Sequence, residues 1–463
     1  MPRLWSIVRQ KPARILAQTG LRTSATLPTS GATSLDNSEG ASQAAAELLD
    51  SLDAALALIS LEDDPRAQLT AHLEQLDWKA SSYVNSSLDF YSSKEPWRCA
   101  PETANLIMKA WVCAEAVYGP DTATLSKALE DSGLNLEWSL ASSANGNIKA
   151  TTLTTFVAPP HHASNAQPTA HLIVAVRGSA STVDQLVNLH GEPRDASVLF
   201  QDTDPPLSPG DQALNFQAHA GFLNSARELL PQVSAQIEKH LRKGHNYSVV
   251  FTGHSAGGAV ATLLHLALRA KFTSVRKSTI LISVERHYNY TGCSRYLPYD
   301  TAVSCITFGS PPVARPALDK DNTAFNRMTE QSQVLNIVNE YDMVSRLDKE
   351  YVRSLIQLFN SEAPNTKEDP YTTDEDPGRT WPLPPPELQH IGSIVALKTE
   401  LPNLPLNGMK PYEVNTRVTA WSVAPESISD LIFCKLQVHK RKYYREKIEQ
   451  LVYNNSESIS STS

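Results

Sequence analysis

The chain has 463 residues, 41% of them hydrophobic, and a formal net charge of −8. That is enough apolar material for one large α/β domain or for two or three smaller ones, and the acidic balance argues against a general nucleic-acid binder, whose affinity would rest on a basic surface. Five scattered cysteines (Cys99, Cys113, Cys293, Cys305, Cys434) form no Cys-x-x-Cys pair or Cys/His cluster, so neither structural zinc nor a disulfide framework is supported, and reduced thiols are expected.

The first 43 residues read as a basic leader. Arg3, Arg9, Lys11, Arg14 and Arg22 precede the first acidic residue, Asp36, and Leu4, Trp5, Ile7 and Val8 can share one helical face. With the Ser/Thr/Gly-rich stretch 23–42, this has the features of a mitochondrial presequence; a basic disordered tail is the alternative. No secretory h-region and no apolar run near 18 residues is present, so no transmembrane helix is expected and the location expected is intracellular, cytoplasmic or mitochondrial. Without a secretory signal, the sequons at Asn85, Asn246, Asn289 and Asn454 carry little weight.

Residues 44–61 and 103–118 read as helices, the second from Leu106, Ile107, Ala110, Trp111 and Ala114. Strands are expected at 148–157, 171–176, 247–252, 303–308, 334–338, 391–397 and 414–421, and helices at 225–241, 256–270 and 426–436. Short apolar strands alternating with helices indicate an α/β fold with a mostly parallel central sheet flanked by helices. Residues 271–300 and the acidic, Pro-rich 351–388 read as surface insertions in one domain spanning 44–455, followed by a disordered tail, 456–463.

Gly253-His254-Ser255-Ala256-Gly257 follows the strand 247–252 and opens the helix after it. This strand–turn–helix context is what a nucleophile elbow requires, and it makes Ser255 the expected nucleophile. Upstream, Arg177-Gly178-Ser179 sits at the end of strand 171–176, where active sites of open parallel sheets gather. The backbone N–H groups of Ala256 and Ser179 are the candidate oxyanion donors.

Four blocks now resemble the class 3 lipases, the family that includes the filamentous-fungal triacylglycerol lipases. They are Arg177-Gly178-Ser179-x-Ser181, His219-Ala220-Gly221-Phe222, Gly253-His254-Ser255-x-Gly257-Gly258 and Thr307-Phe308-Gly309-Ser310-Pro311-Pro312-Val313, in family order over about 150–345. The resemblance implies an α/β-hydrolase fold, carboxylic-ester hydrolysis by a Ser–Asp–His triad, and Ser179 in the oxyanion hole.

The acid should follow the nucleophile, and Asp342 lies just beyond strand 334–338, where the family also places its acid; Asp348 and Glu340 are the alternatives. Two histidines remain. His390 precedes a strand that should start at the edge away from Ser255, and it resembles a non-catalytic family histidine. His439 lies beyond the last strand, free to fold back over the sheet, and is the expected base.

The family lid corresponds to residues 182–189, where Val183, Leu186, Val187 and Leu189 form an apolar stripe and Gln185 stands where many relatives carry Trp. That departure weakens the expected membrane anchor. The expected activity is hydrolysis of acylglycerol or other lipid-like esters, with transient membrane-surface contact, no nucleic acid, no metal and no cofactor demanded; the sequence sets no oligomeric state. A non-catalytic lipase-like module and a lipid acyltransferase remain as alternatives.

Overall fold

The computed structural model describes residues 65–91, 95–142, 148–158, 170–179, 192–200, 216–243, 247–285, 301–316, 333–362, 379–400 and 417–460. Two compact units are distinguished, Met1–Thr70 and Ala71–Ser463, and the sheets, cores and candidate site belong to the second. The leader, the helix expected at 44–61 and the boundary after residue 43 lie outside the described residues, as does the lid stripe at Val183, Leu186, Val187 and Leu189.

The described strands are β1 (Glu95–Pro96), β2 (Asn135–Leu140), β3 (Thr151–Val157), β4 (Ala170–Val176), β5 (Pro193–Asp195), β6 (Phe216–His219), β7 (Tyr247–His254), β8 (Val303–Phe308), β9 (Ala314–Pro316), β10 (Gln333–Asn339), β11 (Ser393–Glu400) and β12 (Arg417–Val423). The helices are α1 (Pro65–Ala80), α2 (Pro101–Ala116), α3 (Thr122–Glu130), α4 (Ala220–Leu241), α5 (Ala256–Glu285), α6 (Lys349–Asn360), α7 (Pro425–Ile428) and α8 (Arg441–Ser460).

Nine of the strands form one sheet in the order β1-β12-β11-β10-β8-β7-β4-β3-β2. The expected parallel arrangement holds at its centre, where β4, β7, β8, β10 and β11 pair parallel, while the pairs further out are antiparallel. β5, β6 and β9 make a separate small antiparallel sheet.

The central strands are continuous apolar runs because both of their faces are covered. Alternate residues of β4 go to opposite sides. Leu172, Val174 and Val176 join a core with α4 and α5 residues such as Leu229, Ile237 and Leu263. Ile173 and Ala175 join one with Ile107 and Trp111 of α2 and Tyr444 and Ile448 of α8. This is an α/β architecture with a central sheet covered on both faces, and its parallel strands deliver their carboxyl ends to one edge, where the candidate functional residues collect.

Four expectations are corrected. Residues 271–285 continue α5 rather than starting an insertion. Residues 349–360 form α6, whose Tyr351, Leu355 and Leu358 bury one face, so the segment 351–388 begins as core rather than surface. The helix expected at 426–436 shrinks to the turn α7, because Leu431, Ile432, Phe433 and Cys434 are all buried in succession, a pattern no one-sided helix can satisfy. The tail expected from residue 456 is helical through Ser460, since extending an existing helix costs far less than nucleating one. Asn85 is 3% exposed, its amide donates to the carbonyls of Trp381 and Asp430 and its carbonyl accepts from Trp381 N–H, which identifies it as a structural tie.

Candidate active site

β7 ends at His254, α5 begins at Ala256, and Ser255 between them has φ 59. That left-handed conformation is uncommon for a residue with a side chain, and here it lifts Ser255 out of the strand above the sheet edge. Its N–H donates to Phe308 O at 2.9 Å, tying the turn to β8. Two glycines let the chain pass close by. A Cβ on Gly257 would sit 2.8 Å from Arg177 C and Gly178 N, and one on Gly178 would sit 2.5 Å from His254 O. The loop after β4 and the serine turn therefore touch backbone to backbone, which only residues without side chains permit.

Ser255 Oγ lies 2.9 Å from His439 Nε2, and His439 Nδ1 lies 2.9 Å from Asp342 Oδ2. The neutral imidazole that suits this arrangement donates Nδ1–H to the carboxylate and accepts the serine proton at Nε2. The Asp342 side chain is fully buried, while that of His439 is 17% exposed.

Asp342 stands three residues beyond β10, and the residue before it, Tyr341, is the other described non-glycine with positive φ, at 70. Two further donors hold the carboxylate: Val344 N–H reaches Oδ1 at 2.9 Å, and the Tyr444 hydroxyl reaches Oδ2 at 2.7 Å. Tyr444 also accepts the Asn339 N–H at 3.0 Å. Its phenol is pushed well above its ordinary pKa by burial and by the Asp342 charge, so it stays protonated as a donor. Gly309 has φ 56, and a Cβ there would lie 3.0 Å from Asp342 Oδ2 and 2.8 Å from the Tyr444 hydroxyl.

The histidine segment is anchored separately. Asn339 Nδ2 donates to Val438 O at 2.8 Å, and the fully buried His254 donates Nε2–H to His439 O at 2.9 Å. The Tyr118 hydroxyl approaches His254 Nδ1 at 3.4 Å. Burial, reinforced by the neighbouring His439 and Arg441, keeps His254 well below the usual histidine pKa, so it acts as a neutral hydrogen-bond link.

The alternatives are placed elsewhere. Asp348 caps α6 through Tyr351 N–H at 2.8 Å and pairs with Arg346 at 2.7 Å. Glu340 accepts from Leu88 N–H at 3.0 Å, and burial raises its pKa. His390 is buried with Nε2 2.7 Å from Ser345 O, and burial lowers its pKa to about 4. Ser179 closes the described loop after β4, next to the elbow through Gly178, and Ala256 is the first residue of α5 and 1% exposed. Nothing local in the sequence marks Tyr118, Asn339 or Tyr444, which only tertiary contacts bring in; Gly309 belongs to the motif Thr307–Val313, which by itself gives it no role. Among the described residues no cluster of His, Cys, Asp and Glu suits a metal, and no helix is long and apolar enough to cross a membrane.

Residues 173–351 match the family model for lipase (class 3). The chain is 32% identical over 102 residues to "Lipase A" of Sodiomyces alcalophilus, covering 21% of this chain and 24% of that protein. It is 30% identical over 102 residues to "Secreted mono- and diacylglycerol lipase 2" of Gibberella zeae, covering 21% and 25%. The chain thus spans about a quarter of the length of these curated relatives. Among solved structures it is similar to the nonglycosylated LIP2 lipase of Yarrowia lipolytica, with TM-score 0.44, 14% identity and coverage of 74% of this chain and 92% of that one. It is also similar to the native propeptide complex of Rhizomucor miehei lipase, with TM-score 0.40, 15% identity and coverage of 78% and 91%. The secreted lipase among these relatives overturns the intracellular location expected from the leader: basic residues and a missing h-region are a compositional signal, and here it misled. The segment 173–351, which holds Ser255 and Asp342, is thus similar to the class 3 lipases.

Proposed function

We propose that the protein hydrolyses carboxylic esters of lipids, acylglycerols in the first place, through an acyl-enzyme on Ser255. The observation that carries this reading is the continuous relay Ser255–His439–Asp342, each step 2.9 Å, with the serine raised on a left-handed turn. As Ser255 Oγ attacks the ester carbonyl, its proton passes to His439 Nε2, and the imidazolium so formed faces the buried Asp342 carboxylate. The oxyanion is assigned to the N–H groups of Ala256 and Ser179. Collapse of the intermediate expels the alcohol, which takes the proton from His439. Water then enters by the same route in reverse, releasing the acid and restoring Ser255.

The acylglycerol assignment is supported by the family and by the name of the Gibberella zeae relative. The test is labelling with a fluorophosphonate probe beside a panel of acyl esters of graded chain length. Ser255→Ala should abolish labelling and lower turnover by about 10⁶-fold with the fold intact. Full labelling of that variant would refute the assignment. A product in which an added alcohol carries the acyl group in preference to water would make the protein an acyltransferase.

A further inference from the structure

We infer that the rim around His439 docks on an anionic lipid surface, an inference that rests on the ester-hydrolase reading and names the surface that reading acts on. The chain as a whole is acidic, yet residues 435–445 hold Lys435, Lys440, Arg441, Lys442 and Arg445 with no Asp or Glu among them. Two of the five are neutralised locally: Lys435 pairs with Asp77 at 3.2 Å and Arg445 with Glu115 at 2.6 Å. For Lys440, Arg441 and Lys442 no ion pair is formed among the described residues; Arg441 lies over the Tyr118 ring, and Lys440 and Lys442 are exposed.

Their position is unfavourable for stability. Arg441 and Lys442 occupy the first turn of α8, at the positive end of the helix dipole, where acidic side chains are the stabilising choice. Three cations and a helix N-terminus thus add their fields at one spot, directly after the base. An apolar side chain stands close to them in the chain. Leu436, four residues before Lys440, is 37% exposed. An exposed Leu followed by lysines without an ion pair is a pattern that combines shallow insertion with attraction to anionic lipid. It fits a bilayer or micelle face brought to the mouth where His439 is accessible.

The test uses the full chain as Ser255→Ala, so that vesicles survive, with Lys440→Gln/Lys442→Gln added. Binding is measured to phosphatidylcholine vesicles and to vesicles with a third of phosphatidylserine. The parent should prefer the anionic vesicles and lose that preference between 0.05 and 0.5 M salt. Each neutralised lysine should weaken anionic binding about five-fold, so about twenty-five-fold for both. The same pair of substitutions in the Ser255 background should leave hydrolysis of a neutral, soluble short-chain ester unchanged. Equal binding to both vesicle types, or a double variant that binds like the parent, overturns the inference. So does a raised KM confined to soluble anionic esters with vesicle binding intact, since the lysines would then read a substrate head group. Absence of soluble-ester hydrolysis by the chain that keeps Ser255 would instead overturn the ester-hydrolase reading.

Discussion

Replacing Tyr444 with Phe isolates what its hydroxyl does for the acid. The ring is fully buried and stacks on Trp111 with centroids 6.0 Å apart and planes at 26°, contacts that Phe retains. Two hydrogen bonds are lost: the 2.7 Å bond donated to Asp342 Oδ2 and the 3.0 Å bond accepted from Asn339 N–H. An orphaned buried donor costs about 1–3 kcal/mol, and a hydrogen bond to a charged group contributes about 1.5–3 kcal/mol. Asp342 keeps Val344 N–H and His439 as partners, so the carboxylate is not stripped and the lower ends apply. The sum expected in urea melts is a loss of about 2–4 kcal/mol. A double-mutant cycle with Asp342→Asn should give a coupling of about 1.5–2 kcal/mol, because the two groups share one bond. The kcat should fall about ten-fold with KM little changed, since a loosened carboxylate misorients His439 without touching the acyl pocket. Coupling below about 0.5 kcal/mol, with melts matching the parent, would refute the view that Tyr444 holds the acid.

Gly309→Ala forces a side chain into a left-handed conformation and against Asp342 Oδ2 and Tyr444, and should cost about 1–3 kcal/mol in melts together with at least ten-fold in kcat. Lys447, which donates to Leu397 O at 3.0 Å, has its pKa lowered by burial from 10.5 to about 8. The unfolded chain therefore binds more protons between those values, and the lysine's contribution to stability rises with pH across that window. The stability of the parent relative to Lys447→Met, from melts at pH 7, 8, 9 and 10, should be flat below pH 8 and then climb by up to about 1.4 kcal/mol per pH unit; a flat difference throughout would contradict the buried-cation reading. His439→Ala should match Ser255→Ala in turnover, whereas His390→Ala should be seen in the melting temperature and spare probe labelling; the reverse pattern would show that the base is misassigned.

The central strands were legible because each is a short, uninterrupted apolar run, which only burial on both faces explains. β2 was missed for the opposite reason: Asn135–Leu140 alternates between exposed and half-buried, at an edge where one face meets water. α6 was hidden by its neighbours. The Pro-rich, acidic composition of 351–388 dominated the reading, although Tyr351, Leu355 and Leu358 repeat at three and four. The same spacing misled at 426–436: Ile428, Leu431 and Ile432 repeat at three and four, but Phe433 and Cys434 are buried as well, and Phe433 is bonded on both its N–H and its carbonyl to the Tyr351 hydroxyl of α6.

At the site, legibility tracked distance along the chain. The serine turn is written in consecutive residues, so its strand, glycines and helix declare it. The proposed acid and base follow from strand order, which a sequence yields once the parallel series is recognised. Tyr444 meets Asp342 across 102 positions, and Asn339 meets Val438 across 99, and no local pattern encodes such meetings. Backbone strain is equally silent. Among the described residues, two with side chains have positive φ: Ser255 itself and Tyr341, which precedes Asp342. A left-handed tyrosine is unfavourable by about 1–3 kcal/mol and persists only where its surroundings over-determine it. Here they do: Tyr341 O accepts from Lys435 N–H at 2.9 Å, its ring is covered by the Lys435 ammonium at 4.4 Å, and β10 behind it is buried. Among the described residues, strain at the proposed nucleophile and at the residue before the proposed acid is what a site selected for geometry over stability should show.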